Sequence, residues 1–439
     1  MVLKLVSKFL QIDRPLVYAL GARAWQSISG PVTAVFLISS LTPATQGVYY
    51  TLVSIISTQI FFELGLLNVL ISQAGNLLSK LSSESGRQQM QALIVGATKW
   101  FLSASVLFAI LSFGLGYSAL SGEANAIQWV GPLASLVVMS SLTVAVSPTL
   151  AILEGAGYRE EVYRYRLWQG LAGSLVMWVS LGLGLNLWAL VASAAVQLIC
   201  SCYLAYVRHR DFFEQFRALS RRPNGNVESE FSWAKNIVPL QWRSALLSVV
   251  YHVATQLFPL ILMLYHGSDE AGRMGMTLSL SAGIQALAMA WIQTKFSMVS
   301  AEHGANNREV AGNLWRHAAL ISTGLLILGL VVAVGLLGLL PWLGHGLENR
   351  FLRPWQFAIL GFGCVANHVV ALEALYVLSR RANPLLRAML VGLVCTALAV
   401  WLGGYVYATT GLIVGYTLSM CLILLPLHTW AYMRFRLKG

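Results

Sequence analysis

The sequence is a succession of apolar runs separated by short polar punctuation, and only one polar interval has any length. Runs long enough to cross a bilayer fall at about 15–41, 44–78, 91–117, 127–153, 165–185, 187–207, 236–264, 271–300, 312–340, 354–378, 384–407 and 409–432. Each span must satisfy its own backbone hydrogen bonds in hydrocarbon, which a helix does. The period-two alternation of a membrane β-barrel is absent. The pattern predicts an all-α integral membrane protein of about twelve transmembrane helices. The polar interval divides them six and six: an N-terminal six-helix lobe at 1–207, a cytoplasmic linker at 208–235 and a C-terminal six-helix lobe at 236–439. The linker reads plainly as a joining segment, with a regulatory docking site as the alternative.

The halves share local features. Span 1 opens with Arg14-Pro15-Leu16 and span 7 with Val238-Pro239-Leu240. Thr51-Leu52 and Gln59 in span 2 match Thr277-Leu278 and Gln285 in span 8 at the same separation, and Arg159 and Arg166 match Arg380 and Arg387. An even number of helices per half returns the second half in the same orientation, so the repeats are parallel and predict two lobes around a central cavity.

Composition sharpens this picture. The chain is 57% hydrophobic and 10% charged, too few polar side chains to cover a water-soluble surface. Its net charge of +12 would suggest nucleic acid in a soluble protein, but the cations are sorted by side. With the N-terminus in the cytoplasm, nearly every Lys and Arg falls on inner segments, and the outer loops hold only Arg273, Arg350 and Arg353. That asymmetry predicts both termini in the cytoplasm and no nucleic-acid partner. Residues 1–14 are basic and apolar with no small-residue cleavage site, so they are expected to remain attached, either as a short interfacial helix or as an extension of span 1. The five cysteines all lie in apolar spans with no disulfide or zinc spacing. No nucleotide, metal or hydrolase motif is present, and no cofactor is expected.

Charge inside a span costs about 2.5–3.5 kcal/mol on insertion scales, so each case needs a reason. Arg23 lies about two turns into span 1 and Arg243 in the corresponding zone of span 7. Both are candidate ligands for an anionic headgroup, because a guanidinium forks onto phosphate oxygens and stays charged; snorkelling to the headgroups or pairing with a carboxylate are the alternatives. Gln59 and Gln285 are candidate substrate-binding residues. Glu63 sits deep in span 2 and is a candidate for coupling to H+ or Na+, or for static pairing. Glu373 is placed near the inner end of span 10, within reach of water, and His252, His368 and His428 read as lone interior histidines. Pro31 and Pro259 are expected to bend spans 1 and 7.

Two segments carry a family resemblance. Phe62-Glu63-Leu64-Gly65-Leu66 is similar to the aromatic-acidic-apolar-Gly-Leu signature in the second helix of the polysaccharide flippases of the multidrug/oligosaccharidyl-lipid/polysaccharide exporter superfamily. Leu153-Glu154-Gly155-Ala156-Gly157-Tyr158-Arg159 resembles that family's basic turn between helices 4 and 5. Glu63 stands where Asp is frequent, and the second-lobe counterpart has dissolved into Met289-Ala290-Trp291-Ile292. The resemblance implies a flippase in a bacterial plasma (inner) membrane. It would carry a polyprenyl-diphosphate-linked oligosaccharide between leaflets, work among membrane lipids, draw on an ion gradient and feed a glycan polymerase.

Three other readings compete. A multidrug extruder of the same superfamily would favour cations through acidic residues, whereas Arg23 and Arg243 favour an anion. A major-facilitator transporter is disfavoured because the loop from Leu78 to Gln91 lacks that family's Gly-x-x-x-Asp-Arg-x-Gly-Arg-type motif. A membrane enzyme of glycan assembly would need catalytic groups in sizeable outer loops, which offer only Glu123, Asp269, Glu270, Arg273, His345, Glu348, Arg350 and Arg353.

Overall fold

A computed structural model describes residues 14–63, 65–123, 127–220, 238–305, 307–343, 346–380 and 385–438. Among them the regular structure is helical. The helices are α1 (Arg14–Ser40), α2 (Pro43–Ser57), α3 (Ile60–Glu63), α4 (Leu66–Leu78), α5 (Glu84–Leu120), α6 (Val130–Gly155), α7 (Arg159–Gly182) and α8 (Trp188–Cys202). They continue with α9 (Arg210–Ser220), α10 (Val238–Thr255), α11 (Phe258–His266), α12 (Ser268–Gly304), α13 (Arg308–Leu343), α14 (Pro354–Ser379), α15 (Leu386–Ser419) and α16 (Leu425–Lys438).

Local chemistry sets several boundaries. Thr42 caps α2, its hydroxyl accepting the Thr45 N–H at 3.2 Å with Pro43 in the first helical position. Ser83 does the same for α5 through the Gly86 N–H at 3.1 Å. At the start of α14 the Gln356 side chain accepts the Arg353 N–H at 3.1 Å.

Each predicted span coincides with a helix or a bent pair. Among the described residues seven helices are long and apolar enough to cross a membrane, or up to nine when each bent pair counts as one span. The last, Leu386–Arg436, contains spans 11 and 12. The chain reverses at Tyr407–Ala408, where the backbone leaves the helical region, and Gly403 then lies directly against Gly411. The long helices turn apolar side chains outward: on α5, Leu102, Val106 and Ile110 are 57%, 55% and 64% exposed while Phe101 and Phe108 are fully buried. A surface of that kind is stable in lipid and not in water.

Span 2 is broken, with a 44° bend between Pro43–Glu63 and Leu66–Leu78. Gly65 takes φ 67°, a left-handed conformation at little cost only for glycine, so the signature glycine is the hinge of the break. Span 7 is also broken, by 50° between Ala245–Thr255 and Phe258–His266, and Pro259 opens the second piece as expected. Span 1 differs: α1 runs unbroken through Pro31. The repeat is therefore approximate, with the break in the second helix of one half and the first helix of the other.

The described residues form two compact units. The first contains the described part of Met1–Gln26, with Ile56–Leu115 and Gln128–Ser248; the second contains Ser27–Ile55, Gly116–Ile127 and the described part of Val249–Gly439. These units do not coincide with the division of the sequence at 208–235. The segment Ser27–Ile55 groups with later helices because α2 packs closely on α12: a Cβ on Gly47 would run into the Ser268 carbonyl. The first unit is built around a core of Leu66, Leu70, Phe101, Phe108, Leu153 and Leu204. Part of the predicted linker joins that core, since α9 buries Phe212 and Phe216 in it. His209 meets Glu161 at 2.9 Å, with Arg208 3.6 Å from the same oxygen. The rest of the linker and the basic segment 1–13 lie outside the described residues.

Candidate functional site

The basic turn identified in the sequence is a positioning device. Glu154 ends α6 and is buried, although an acid at a helix C-terminus opposes the helix dipole. Two groups from the first turns of α7 offset this. The Tyr163 hydroxyl donates to Glu154 Oε1 at 2.8 Å, and the Arg166 guanidinium lies 2.9 Å from Oε2. Gly155 beside it has no room for a side chain, because a Cβ would run into the Ile71 carbonyl of α4. We expect Gly155→Val to force α4 and α6 apart and destabilise the first unit by about 1–3 kcal/mol. Thermal unfolding in detergent measures this; an unchanged Tm would show that the helices yield without cost.

With α7 held in this way, Tyr163, Arg166, Gln169 and Gly170 fall on one of its faces and meet Ala19, Ala22, Arg23 and Gln26 of α1 and Gln197 of α8. Together they line a cavity of about 420 Å³ within the first unit. Polar ties fix its walls. The Trp25 indole N–H reaches the Gly170 carbonyl at 3.1 Å and Ser174 Oγ at 3.2 Å, pinning α1 to α7. The Gln169 amide donates to the Gln197 carbonyl at 3.0 Å and to Ser201 Oγ at 2.8 Å, pinning α7 to α8. Among the described residues the lining presents two guanidinium groups, one phenol and three carboxamides, and no carboxylate. Such a wall offers charge-assisted donors to an anion and mixed donors and acceptors to hydroxyl groups.

Arg23 lines this cavity within the first unit, and beside it stands Arg166, which the sequence analysis did not single out. Its signal is the spacing of Tyr163, Arg166 and Gln169, three residues apart at the start of span 5, which puts them on one helix face. Gln59 and Glu63 stand together at the break of span 2, both half-buried, and neither is in the cavity wall. The Glu63 carboxylate makes no hydrogen bond or ion pair among the described residues. Gln285 lies in the second unit, in the wall of a small cavity of about 80 Å³ with Tyr251, Thr255, Ser281 and Asn367. Its amide donates to the Ser281 carbonyl at 3.4 Å. Arg243 is within α10, but its side chain lies outside the described residues.

Four of the residues that the sequence offers to an enzyme are engaged in packing of the second unit. Glu123 accepts the Ser268 N–H at 3.2 Å, Glu270 holds Arg273 at 2.8 Å and also accepts Thr409, and Arg350 donates to Gln46 at 3.2 Å. Glu373 and His428 corrected a different expectation: both are buried, and they pair with each other at 2.6 Å.

No protein-family model matches the sequence, and no curated protein matches it. Solved structures do match along nearly the whole chain. A multidrug resistance transporter of the MATE family in the MOP superfamily, inward-facing, aligns with TM-score 0.64 and 13% identity over 96% of this chain and 95% of its own. The lipid II flippase MurJ, inward closed, aligns with TM-score 0.63 and 13% identity over 97% and 88%. A MOP superfamily transporter from Pyrococcus furiosus Vc1, described as having a binding pocket of reversed polarity, aligns with TM-score 0.59 and 14% identity over 98% of each chain. At these identities the likeness is one of fold. The chain shares the all-helical fold of these structures.

Proposed function

We propose that this protein is a flippase that carries a lipid-linked oligosaccharide, with the diphosphate of a polyprenyl carrier as the recognised anion, from the cytoplasmic to the outer leaflet of a bacterial plasma membrane. The observation that supports this best is the charge of the cavity in the first unit: Arg23 and Arg166 with three glutamines and a tyrosine, and no carboxylate among the described residues of the wall. Its volume of about 420 Å³ suits a headgroup and not a whole glycolipid, so the polyprenyl tail remains in lipid and a longer glycan extends beyond the wall. Fold alone does not separate a flippase from a multidrug exporter, since both occur among the similar structures. Cavity charge favours the flippase, because two guanidinium groups in the wall suit an anionic headgroup and not a cationic drug. One similar transporter is itself described by a pocket of reversed polarity, so pocket charge varies within this fold.

In this reading both termini face the cytoplasm, and the six-helix lobes 1–207 and 236–439, joined by 208–235, exchange access between the two sides. Arg243, Gln59 and Gln285 add contacts to the headgroup or glycan. Glu63 serves either as a coupling group for H+ or Na+ or as a static ion-pairing group, and a glycan polymerase consumes the product.

Loss of the gene in its host tests the proposal. The expected result is lipid-linked precursor confined to the cytoplasmic leaflet, with surface polysaccharide lost. Unpolymerised precursor reaching the outer leaflet would place the protein after flipping and overturn the reading.

A further inference from the structure

The second unit contains a buried pair that the headgroup cavity does not use. Glu373 on α14 is 8% exposed and His428 on α16 is fully buried. His428 Nδ1 lies 2.6 Å from Glu373 Oε2, and the Thr429 hydroxyl donates to Oε1 at 2.8 Å. Both carboxylate oxygens are therefore engaged. The Nδ1 contact requires a proton between the two groups, and with that proton on Nδ1 a neutral imidazole presents a bare lone pair at Nε2. Nε2 is buried and has no hydrogen-bond partner among the described residues.

We propose that Glu373 and His428 form a proton-binding site through which transport is coupled to proton movement. A proton from water binds the Nε2 lone pair and leaves by the same atom. The unloaded pair carries one negative charge and the loaded imidazolium–carboxylate pair carries none, while the Nδ1–Oε2 hydrogen bond persists in both. In a medium of low dielectric that change of net charge alters how the pair's neighbours are held.

The surroundings support this assignment. On α14 the neighbouring titratable groups are Tyr376 and Arg380. Tyr376 packs against Tyr432 of α16, with ring centroids 5.7 Å apart, and against His303 of α12 at 5.2 Å. Arg316 of α13 and Arg436 of α16 lie within electrostatic range of the Tyr432 hydroxyl, as does Glu373 itself. The hydrogen bonds from His428 and Thr429 tie α16 to α14, and α16 is joined to α15 by a π-helical turn at Met420–Leu424. Wide turns of this kind recur at functional sites and let a helix change register. A proton on the pair therefore acts on the tie that holds an adjustable helix.

The proposal deepens the flippase reading and rests on it for the word transport, so the test has one arm that needs no substrate. In the purified protein with nitrogen-labelled histidine, the His428 Nε2 resonance is expected to switch between its bare and its protonated form as the proton concentration is varied, and Glu373→Gln should raise the proton concentration needed by about tenfold or more, because the carboxylate on Nδ1 is gone. An Nε2 that does not titrate, or a midpoint indifferent to Glu373→Gln, overturns the site whatever the substrate is. In vesicles, the ratio of flux with a proton gradient to flux without it should fall to about one in Glu373→Gln and in His428→Asn. Thr429→Val, which removes a hydrogen bond to the same carboxylate but keeps the pair, should retain the response; a merely structural pair would show the reverse emphasis, with stability lost in all three and the response kept. Loss of the response in Glu63→Gln with its retention in Glu373→Gln would move coupling to Glu63 and also overturn the proposal. A wild-type protein that titrates as expected but flips no glycolipid would overturn the flippase reading and leave the proton site standing.

Discussion

Arg23→Ala is expected to reduce glycolipid flipping by about 10- to 100-fold while the protein inserts and unfolds normally, since a charge-assisted contact to a phosphate contributes about 1.5–3 kcal/mol. Arg166→Ala should be as damaging to flipping and should also destabilise the fold. It strands the buried Glu154 carboxylate, which keeps only its Tyr163 hydrogen bond, and because Arg166 itself is exposed the cost is about 1–3 kcal/mol. The two effects separate in the double variant Arg166→Ala with Glu154→Gln, which removes the stranded charge. That variant should regain thermal stability and remain inactive. Arg23→Lys should retain part of the activity, because the charge survives and the planar fork does not. The measurement is flipping of a fluorescent polyprenyl-diphosphate oligosaccharide in vesicles, beside thermal unfolding of each variant. Near-normal flipping by Arg23→Ala would show that the cavity in the first unit is not the headgroup site.

Much of the fold was legible because its cause is local. Apolar length sets a span, and the twelve runs coincide with helices or bent pairs. Even the reversal between spans 11 and 12 falls at Ala408, between the predicted limits of 407 and 409. The bend at Pro259 was legible for the same reason, since a missing N–H disrupts a helix wherever it stands. Pro31 shows the limit, because α1 absorbs it without breaking. The break at Gly65 was not read, although its residue was quoted, because an isolated glycine in an apolar run marks either a packing contact or a hinge.

The site was legible in part. Arg23 stood out because a charge inside a span needs a reason, whereas Arg166 was hidden by its nearness to a basic turn. Its role depends on Glu154, twelve residues away and across a helix boundary. The pairing of Glu373 with His428 was beyond sequence periodicity altogether. It joins positions 55 residues apart on separate helices, and each alone looks like an ordinary interior or near-interface residue.

Gly47→Val is expected to shift the protein towards a state open at the outer ends of its helices. In the second unit α2 and α12 meet so closely that a Cβ at Gly47 collides with the Ser268 backbone, which has no flexible end to yield. The contact is closed further by Gln46, 1% exposed, whose amide donates to the Gly272 carbonyl at 3.0 Å and the Arg350 carbonyl at 3.2 Å. Its oxygen accepts from the Arg350 guanidinium, which also reaches the Ile38 carbonyl at 3.4 Å. By the topology proposed above these groups lie at the outer side, so an outward-open state must give them up. Overpacking at such a contact costs about 1–3 kcal/mol, and each 1.4 kcal/mol moves a two-state equilibrium about tenfold. Gln46→Leu should act in the same direction, because it leaves the two carbonyls and the guanidinium without their partner. A cysteine at Ser54, 4% exposed in the wild type, reports the change once the five native cysteines are replaced. An impermeant thiol reagent added outside should label it several-fold faster in either variant. Unchanged labelling in both would mean that α2 and α12 move as one body and that the outer side opens elsewhere.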